Sequence, residues 1–414
     1  MSSALQEHRE LATSTGATTK KIRVLYFDHT AVLSGGELAL LETIRNLDRT
    51  VIEPVVLLGE HGPLEEALGA IAPTHVIELS SRIRNTRKDR LTGVTYEISR
   101  DILLSIPYIL KLTRFIRSVM PDVIHTNSLK SDLLGGIASR LAGVPLVWHV
   151  RDRIAPDYLP RPAVSVFRTL TRWIPNYVVG CSESVIETLQ LPVKKPRAVV
   201  YSGIDLSDYE TKKAEARKLL DPTDHTSAPI FIGLVGRLGS WKGQHIFIQA
   251  AAEVYRQFPK ARFLLYGSAM FGEADYEQSL HLLVDEMGLS NAVEFRGFER
   301  NIAQAIVNLD ILVHASISPE PFGQVIVQGM AAGKPVIASE GGGASEIIRH
   351  GVDGLLVERG NARAMADALC LLLSDNNLVQ RLSVQGRERV RSKFTIQATV
   401  QTMTKVFEEM IQRA

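Results

Sequence analysis

From residue 21 almost to the C terminus, short runs of β-branched and other apolar residues alternate with longer segments of helical periodicity. Strands that are apolar on both faces need cover on both faces, so the pattern specifies parallel sheets sandwiched between helices. In the first half the strand candidates are Ile22 to Phe27, Pro54 to Leu58, His75 to Leu79, Asp122 to His125, Leu146 to Val150, Tyr177 to Gly180 and Ala198 to Tyr201. The second half restarts with Ile230 to Gly236, Arg262 to Gly267, Val293 to Arg296, Asp310 to His314, Pro335 to Ala338 and Gly354 to Val357. Between the halves, Asp205 to Ala228 is charged and carries Asp221-Pro-Thr-Asp224 and Thr226-Ser-Ala-Pro229 around it, the composition of a linker with one helix. A chain of 414 residues also exceeds one ordinary core. The expected fold is therefore α/β, with two Rossmann-like doubly wound parallel-sheet domains facing across a cleft. The expected divisions are a disordered lead-in at 1–20, a first domain at 21–205, a linker at 206–228 and a second domain at 229–395. Ligands of such sheets bind beyond the carboxyl ends of the strands.

One such end carries Ser318-Pro-Glu320-Pro-Phe322-Gly323-Gln-Val-Ile-Val-Gln328-Gly-Met-Ala-Ala-Gly333-Lys-Pro-Val-Ile-Ala338. The two prolines hold the approach extended, Gln324 to Ala332 forms a helix, and Gly333 with Pro335 stops it. The first amides of that helix lack internal partners and carry the positive end of its dipole, a site suited to phosphate. Glu320 stands beside it, and Gln328 lies one turn inside on the face of Gln324. After the first strand of the second half, Gly236-Arg237-Leu-Gly-Ser-Trp-Lys242-Gly243 places two cations at the same sheet edge, where they would offset a diphosphate's charge. Alone, that segment reads equally well as a solvated loop. In the first half, Ser34-Gly35-Gly36-Glu37 lets backbone approach a phosphate or sugar at another helix start.

The Glu320 segment resembles the most diagnostic motif of the retaining glycosyltransferase family 4, a Glu, seven residues and a second Glu, with Pro-Phe-Gly after the first. Here Gln328 replaces the second Glu. The resemblance implies the GT-B fold, with the last helix, about Ile396 to Arg413, crossing back onto the first domain. It implies that Glu320 contacts hydroxyls of a donor sugar. The start of the motif helix, with Phe322, Gly323, Gln324 and Val325, would hold the diphosphate, and residue 328 the ribose. Arg237 and Lys242 match the family's cation pair. Gly35 and Gly36 match its glycine-rich loop over the donor, and Gly267, Gly297 and Phe298 stand where its loops meet the base. His149, in Trp148-His149-Val-Arg151-Asp152, matches the family's strand-end histidine near the transferring sugar, with Arg151 and Asn127 on the acceptor side. Glu320, His149, Arg237 and Lys242 are thus the catalytic candidates of a retaining, metal-independent hexosyltransferase. Its partners would be a nucleotide sugar and a hydroxyl acceptor, either a saccharide, a lipid-linked saccharide or a small molecule, as in polysaccharide or glycoconjugate assembly. Two alternatives stay open: a nucleotide-sugar-binding protein that Gln328 has left with little transfer activity, and an epimerase or phosphorylase on the same fold.

Other classes are disfavoured. The net charge of +2 lacks the concentrated basic face of a nucleic-acid binder. No Gly-x-Gly-x-x-Gly, Gly-Lys-Ser/Thr, Asp-x-Asp, His-Glu-x-x-His or Cys-x-x-Cys occurs, so nicotinamide cofactors, Walker loops and a protein-bound metal are not expected. Glu273-x-Asp275 opens a helix and reads as solvated capping. Cys181 and Cys370 are far apart, which fits a reduced cytoplasmic setting. The lead-in lacks a signal-peptide core, and no apolar stretch reaches the roughly 18 residues of a membrane span. Arg82, Arg84, Arg87, Lys88 and Arg90 precede a helix mixing Ile102, Leu103, Leu104, Ile109, Leu110 and Phe115 with Lys111, Arg114 and Arg117. That region suits either peripheral contact with anionic membrane at its inner face or ordinary core packing beside a basic loop.

Overall fold

The computed structural model describes residues 20–84, 96–210, 229–269 and 272–413. It contains two all-parallel sheets. The first runs β1 (Ile22–Asp28), β2 (Ile52–Leu58), β3 (Thr74–Val76), β4 (Val123–Thr126), β5 (Leu146–Val150), β6 (Tyr177–Gly180) and β7 (Arg197–Val199), in the order 3-2-1-4-5-6-7. The second runs β8 (Ile230–Val235), β9 (Ala261–Tyr266), β10 (Val293–Gly297), β11 (Ile311–His314), β12 (Val336–Ser339) and β13 (Leu355–Val357), in the order 10-9-8-11-12-13. The central strands are mostly apolar because both faces are covered, whereas β3, β7 and β10 toward the sheet edges are partly exposed. In β1, Leu25 and Phe27 enter one core while Val24 and Tyr26 enter another on the opposite face. Strand order reverses between β1 and β4 and again between β8 and β11, and at those points the helices diverge and leave a crevice at the carboxyl edge.

The last helix, Ile396–Arg413, belongs to the first sheet in space. Val400, Met403, Phe407 and Met410 are buried with Val24 and Tyr26, and the Phe407 ring lies 6.2 Å from that of Tyr26. Each such fully buried large side chain contributes about 1.5–3 kcal/mol, which ties the C-terminal segment to the domain where the chain began. The returning chain is also hydrogen-bonded to the outgoing one. Ile204 N–H donates to Phe394 O at 3.0 Å and Ile396 N–H donates to Ile204 O at 2.9 Å.

The helix Tyr96–Val119 buries Ile109, Leu112 and Ile116 and leaves Leu104, Ile106 and Leu110 more than two-fifths exposed, near the exposed Lys111 and Arg114. It is therefore core-facing on one side and apolar toward solvent on another. The lead-in at 1–19, linker residues 211–228, Arg87, Lys88, Arg90 and the side chains of Ile102 and Leu103 lie outside the described residues. Among the described residues no helix is long and apolar enough to cross a membrane.

Candidate active site

Glu320 is the best-anchored side chain at the carboxyl edge of the second sheet. Lys242 Nζ donates to both its oxygens, at 2.9 and 3.1 Å, Ser316 Oγ donates at 2.9 Å, and His314 Nε2 lies 3.2 Å from Oε2. Burial opposes charge on this carboxyl, but Lys242 and His314 outweigh it and hold the group well below the usual carboxylate range. Lys242 Nζ also sits 4.2 Å from the centre of the Trp241 ring, and Arg237 lies 5.8 Å from the same ring. The indole thus lies within cation–π range of both cations at the end of β8.

The loop carrying Glu320 is held by the glycine turn after β12. Gly343 N–H donates to Glu320 O at 2.9 Å, and a Cβ on Gly342, whose φ is +62°, would stand 2.1 Å from Glu320 O. Only glycine allows that approach. Gly323, with φ +105°, begins the helix Gln324–Ala331. Across the cleft the helix Gly35–Arg45 starts at Gly35, where an added Cβ would lie 3.9 Å from Gln324 Oε1. Two helix N-termini therefore meet from opposite domains, and their unbonded first-turn amides make the meeting point attractive to an anion.

The first domain supplies a buried polar wall. Asn127 Nδ2 donates to Asp28 Oδ2 at 2.7 Å and to Gly36 O at 3.3 Å, and Asn127 Oδ1 accepts from Arg151 Nε at 2.6 Å. Arg151 reaches on to Ser202 Oγ at 3.1 Å and His149 Nδ1 at 3.4 Å, and His149 Nδ1 lies 3.1 Å from His125 Nε2. Burial first, then the Arg151 charge, holds His149 well below the usual histidine range and His125 down at about 3. Glu37, bonded to Ser34, moves the other way, because burial and then Asp28 push it up to about 7. From the loop after β5, the Tyr158 hydroxyl donates to Asp152 at 2.6 Å and stands close enough to feel both Glu320 and Arg237.

Two latches join the domains beside this site. Ser182 Oγ donates to Pro321 O at 2.6 Å. The Glu346 carboxylate accepts from the backbone N–H groups of Glu183 at 2.9 Å and Ser184 at 2.7 Å, capping a first-domain helix from the second domain.

Two family models divide the chain between them. The one described as Glycosyltransferase Family 4 matches residues 33–208, and the one described as Glycosyl transferases group 1 matches residues 217–389. The chain belongs to the group 1 glycosyltransferases of family 4. This glycosyltransferase superimposes on the crystal structure of Anabaena HepE in complex with UDP and glucose with a TM-score of 0.79 and 27% identity, covering 94% of this chain and 100% of the other. It is 29% identical over 312 residues to a D-inositol 3-phosphate glycosyltransferase of Thermobispora bispora, covering 70% of this chain and 71% of that one. It is 22% identical over 409 residues to the UDP-Gal:alpha-D-GlcNAc-diphosphoundecaprenol alpha-1,3-galactosyltransferase of Escherichia coli, covering 95% of this chain and 99% of that one.

The glycosyltransferase brings Glu320, Lys242, Arg237, Gly323, Gln324, Gly35 and Gly36 to one place. Gly267 and Gly297 meet at the ends of β9 and β10, where Gly267 N–H donates to Gly297 O at 2.7 Å, and the adjoining Phe298 is 58% exposed. Val325 is half-buried in the first turn of the motif helix. Phe322 departs from its expected place on the cleft. It is a core residue, 5% exposed and packed 5.8 Å from Tyr201 and 6.1 Å from Phe394, so only its backbone is available to a ligand. Gln328 is half-buried and hydrogen-bonds the buried hydroxyl of Tyr209 from the start of the linker. Asn127 and Arg151 are committed to the wall described above. Glu273 occupies the N-cap position of its helix without a side-chain capping bond. Sequence reasoning does not single out His314, Ser316, Tyr158 or Asp152 as site residues. The signal for the first two is their place at the carboxyl end of β11.

Proposed function

We propose that this glycosyltransferase transfers a hexose from a nucleoside-diphosphate donor to a hydroxyl with retention of anomeric configuration and without a metal ion. The observation that carries the reading is the convergence of two helix N-termini, at Gly35 and Gln324, beside Lys242 and Arg237. Two helix starts that meet across the cleft, with two cations at the same carboxyl edge of the second sheet, supply the positive potential that a departing diphosphate needs as its charge grows. UDP is the first donor nucleotide to test, because the Anabaena protein was crystallised in complex with UDP and glucose. Glu320, kept ionised and fixed by Lys242, Ser316 and His314, is suited to accept hydrogen bonds from sugar hydroxyls. A carboxylate held so far below its usual range is a poor base, so the reading needs no enzyme nucleophile and no proton transfer to Glu320. The exposed Phe298 offers a flat apolar face for a base at the end of β10.

The acceptor is read as a saccharide, free or lipid-linked, in glycoconjugate or polysaccharide assembly. The lipid-linked arm draws on the name of the E. coli relative and on exposed Leu104, Ile106 and Leu110 beside Lys111 and Arg114, a surface suited to peripheral contact with anionic membrane on the cytoplasmic side.

The test is a thermal-shift screen of nucleoside diphosphates and their sugars, followed by transfer assays with the best donor. A ligand at a hundred times its Kd stabilises by about 2.7 kcal/mol. Expected results are a shift with UDP or a UDP-sugar, transfer unaffected by EDTA, an α-linked product from an α-linked donor, and loss of transfer in Glu320→Ala. No shift with any nucleotide, or full transfer by Glu320→Ala, would remove the assignment.

A further inference from the structure

Glu37 stands where the anion is expected. It lies in the first turn of the helix that begins at Gly35, and the earliest amide of that helix with an internal partner is that of Leu38, which donates to Ser34 O at 2.8 Å. The positive end of the dipole therefore already has an occupant, a carboxyl on a side chain 7% exposed that receives the Ser34 hydroxyl. A helical turn rises about 5.4 Å, so an anion held by the amides of Gly35 and Gly36 stands within about 8 Å of that carboxyl. At this distance, in an effective dielectric of about 20, one unit of charge changes the proton affinity of a carboxyl roughly thirtyfold.

The charges around Glu37 are otherwise fixed. Asp28, at the end of β1, is fully buried and, against the cost of burial, is kept ionised by His29 Nδ1 at 3.1 Å, Asn127 Nδ2 at 2.7 Å and Ser128 Oγ at 3.0 Å. His29, whose charge also reaches Glu37, has the same nitrogen 2.7 Å from Ser128 Oγ. Arg151 runs along the helix start, its Cδ 3.3 Å from where a Cβ on Gly36 would stand, and keeps its charge through the neutral range. Beyond it, burial and Arg151 hold His125 and His149 neutral, and Gln324 opposite is uncharged. The helices packed on this one, Pro63–Gly69 and Ile396–Arg413, share its apolar core through Leu64, Leu68, Met403 and Phe407. Glu37 is the carboxyl that can give way, and burial followed by the Asp28 charge already pushes it up to about 7.

We propose that Glu37 is the resident counter-anion of this helix start and surrenders its charge when the donor diphosphate arrives, so that donor binding is coupled to uptake of a proton. One proton passes from solvent to the carboxylate, and no bond of the donor is broken. The proposal rests on the nucleotide-sugar reading above. Its consequence is a donor affinity that falls as pH rises, because in alkali the diphosphate must bind beside an ionised carboxyl or draw a scarce proton to it.

Calorimetry of UDP-glucose binding to the full chain decides it, because that diphosphate diester has no titrating proton of its own near neutrality. At about pH 7.5 in HEPES and in Tris, whose ionisation enthalpies differ, the wild type is expected to take up roughly 0.5–0.7 proton per ligand. Its Kd is expected to rise roughly 10–20-fold between about pH 6.5 and 9. Glu37→Gln keeps a hydrogen-bonding group on Ser34 and imitates the protonated carboxyl. It is expected to show no uptake, a Kd independent of pH and, at about pH 8.5, binding about tenfold tighter than wild type, a gain that damage to the fold does not produce. Binding without proton uptake, uptake that persists in Glu37→Gln, or weaker binding by Glu37→Gln across the whole range would overturn the proposal and leave the donor reading intact. If neither protein binds UDP-glucose, the other nucleotide sugars of the thermal-shift screen pass through the same two buffers. A chain that binds none of them removes the donor reading and the coupling together.

Discussion

Replacing Lys242 with Met isolates the ion pair on which the geometry of Glu320 depends. The side chains of the pair are 19% and 11% exposed, so solvent screens them little and removal of one partner strands a buried charge. Breaking such a pair costs about 3–5 kcal/mol. Ser316 and His314 still donate to Glu320, which favours the lower end. Protonation sets a similar ceiling, because neutralising at pH 7 a carboxyl whose ordinary value is 4.5 costs about 3.4 kcal/mol. Lys242→Met is therefore expected to lose about 3 kcal/mol at pH 7, or roughly 6–12 °C in the melting transition of a domain of this size. The folded pKa of Glu320 lies below its unfolded value, so the stabilisation is full above about pH 4.5 and disappears as pH falls through the folded value. The gap between wild type and variant must then narrow in acid. Urea titrations of the ligand-free protein at pH 7 and pH 4 measure both quantities, and Glu320→Gln with the double variant completes a cycle whose coupling should reach about 2 kcal/mol. A cost below 1 kcal/mol that does not change with pH would show a pair behaving as a surface contact, and the account of Glu320 as a buried, charge-fixed acceptor would fail.

Glu37 tests the opposite sign. Its folded pKa is raised from 4.5 to about 7, so wild-type stability should fall between about pH 5 and 7 by up to ~3 kcal/mol, and Glu37→Gln should flatten that slope in thermal melts; parallel curves would refute it. Gly342→Ala places a methyl against Glu320 O at a positive φ and should cost about 2–4 kcal/mol while releasing the Glu320 loop, read as a lower melting temperature together with weaker nucleotide binding. Gln328→Glu should tighten UDP binding up to about tenfold by calorimetry if residue 328 meets the ribose, since charged hydrogen bonds exceed neutral ones by roughly 1 kcal/mol. Weaker binding would instead assign Gln328 to its bond with Tyr209.

The central strands were readable because they are apolar on two faces and bounded by turn residues, and Leu146 to Val150 and Tyr177 to Gly180 match the observed β5 and β6 to the residue. At the sheet edge the reading loosens. β3 ends at Val76, although Ile77 and Leu79 still donate to Leu58 O and Gly59 O in an irregular continuation. The motif helix was readable from its prolines and glycines. What local sequence could not supply was rotation and long-range company. Phe322 turns inward because Tyr201 and Phe394, both more than 70 residues away, form the pocket that receives it. His314 and Ser316 look like ordinary ends of a buried strand until the fold places Glu320 over them. Arg151 and Asn127 are expected at strand ends on the acceptor side of the cleft, but nothing local shows that the sheet stacks them into one hydrogen-bonded line with His149.

The lacing of Ile204 to Phe394 and Ile396 has a mechanical meaning. A chain that passes between two bodies at separate points lets them slide and twist independently, but here both passages are stitched at the same spot by two backbone bonds. They act as a single pivot. Displacement about a pivot grows with distance from it, so residues beside the stitch, such as Tyr201 and Phe394, move least. Phe322, packed on Tyr201 and Phe394, ties the loop that leads into Gln324 to the same pivot, so the motif helix starts close to the point about which the two bodies are hinged.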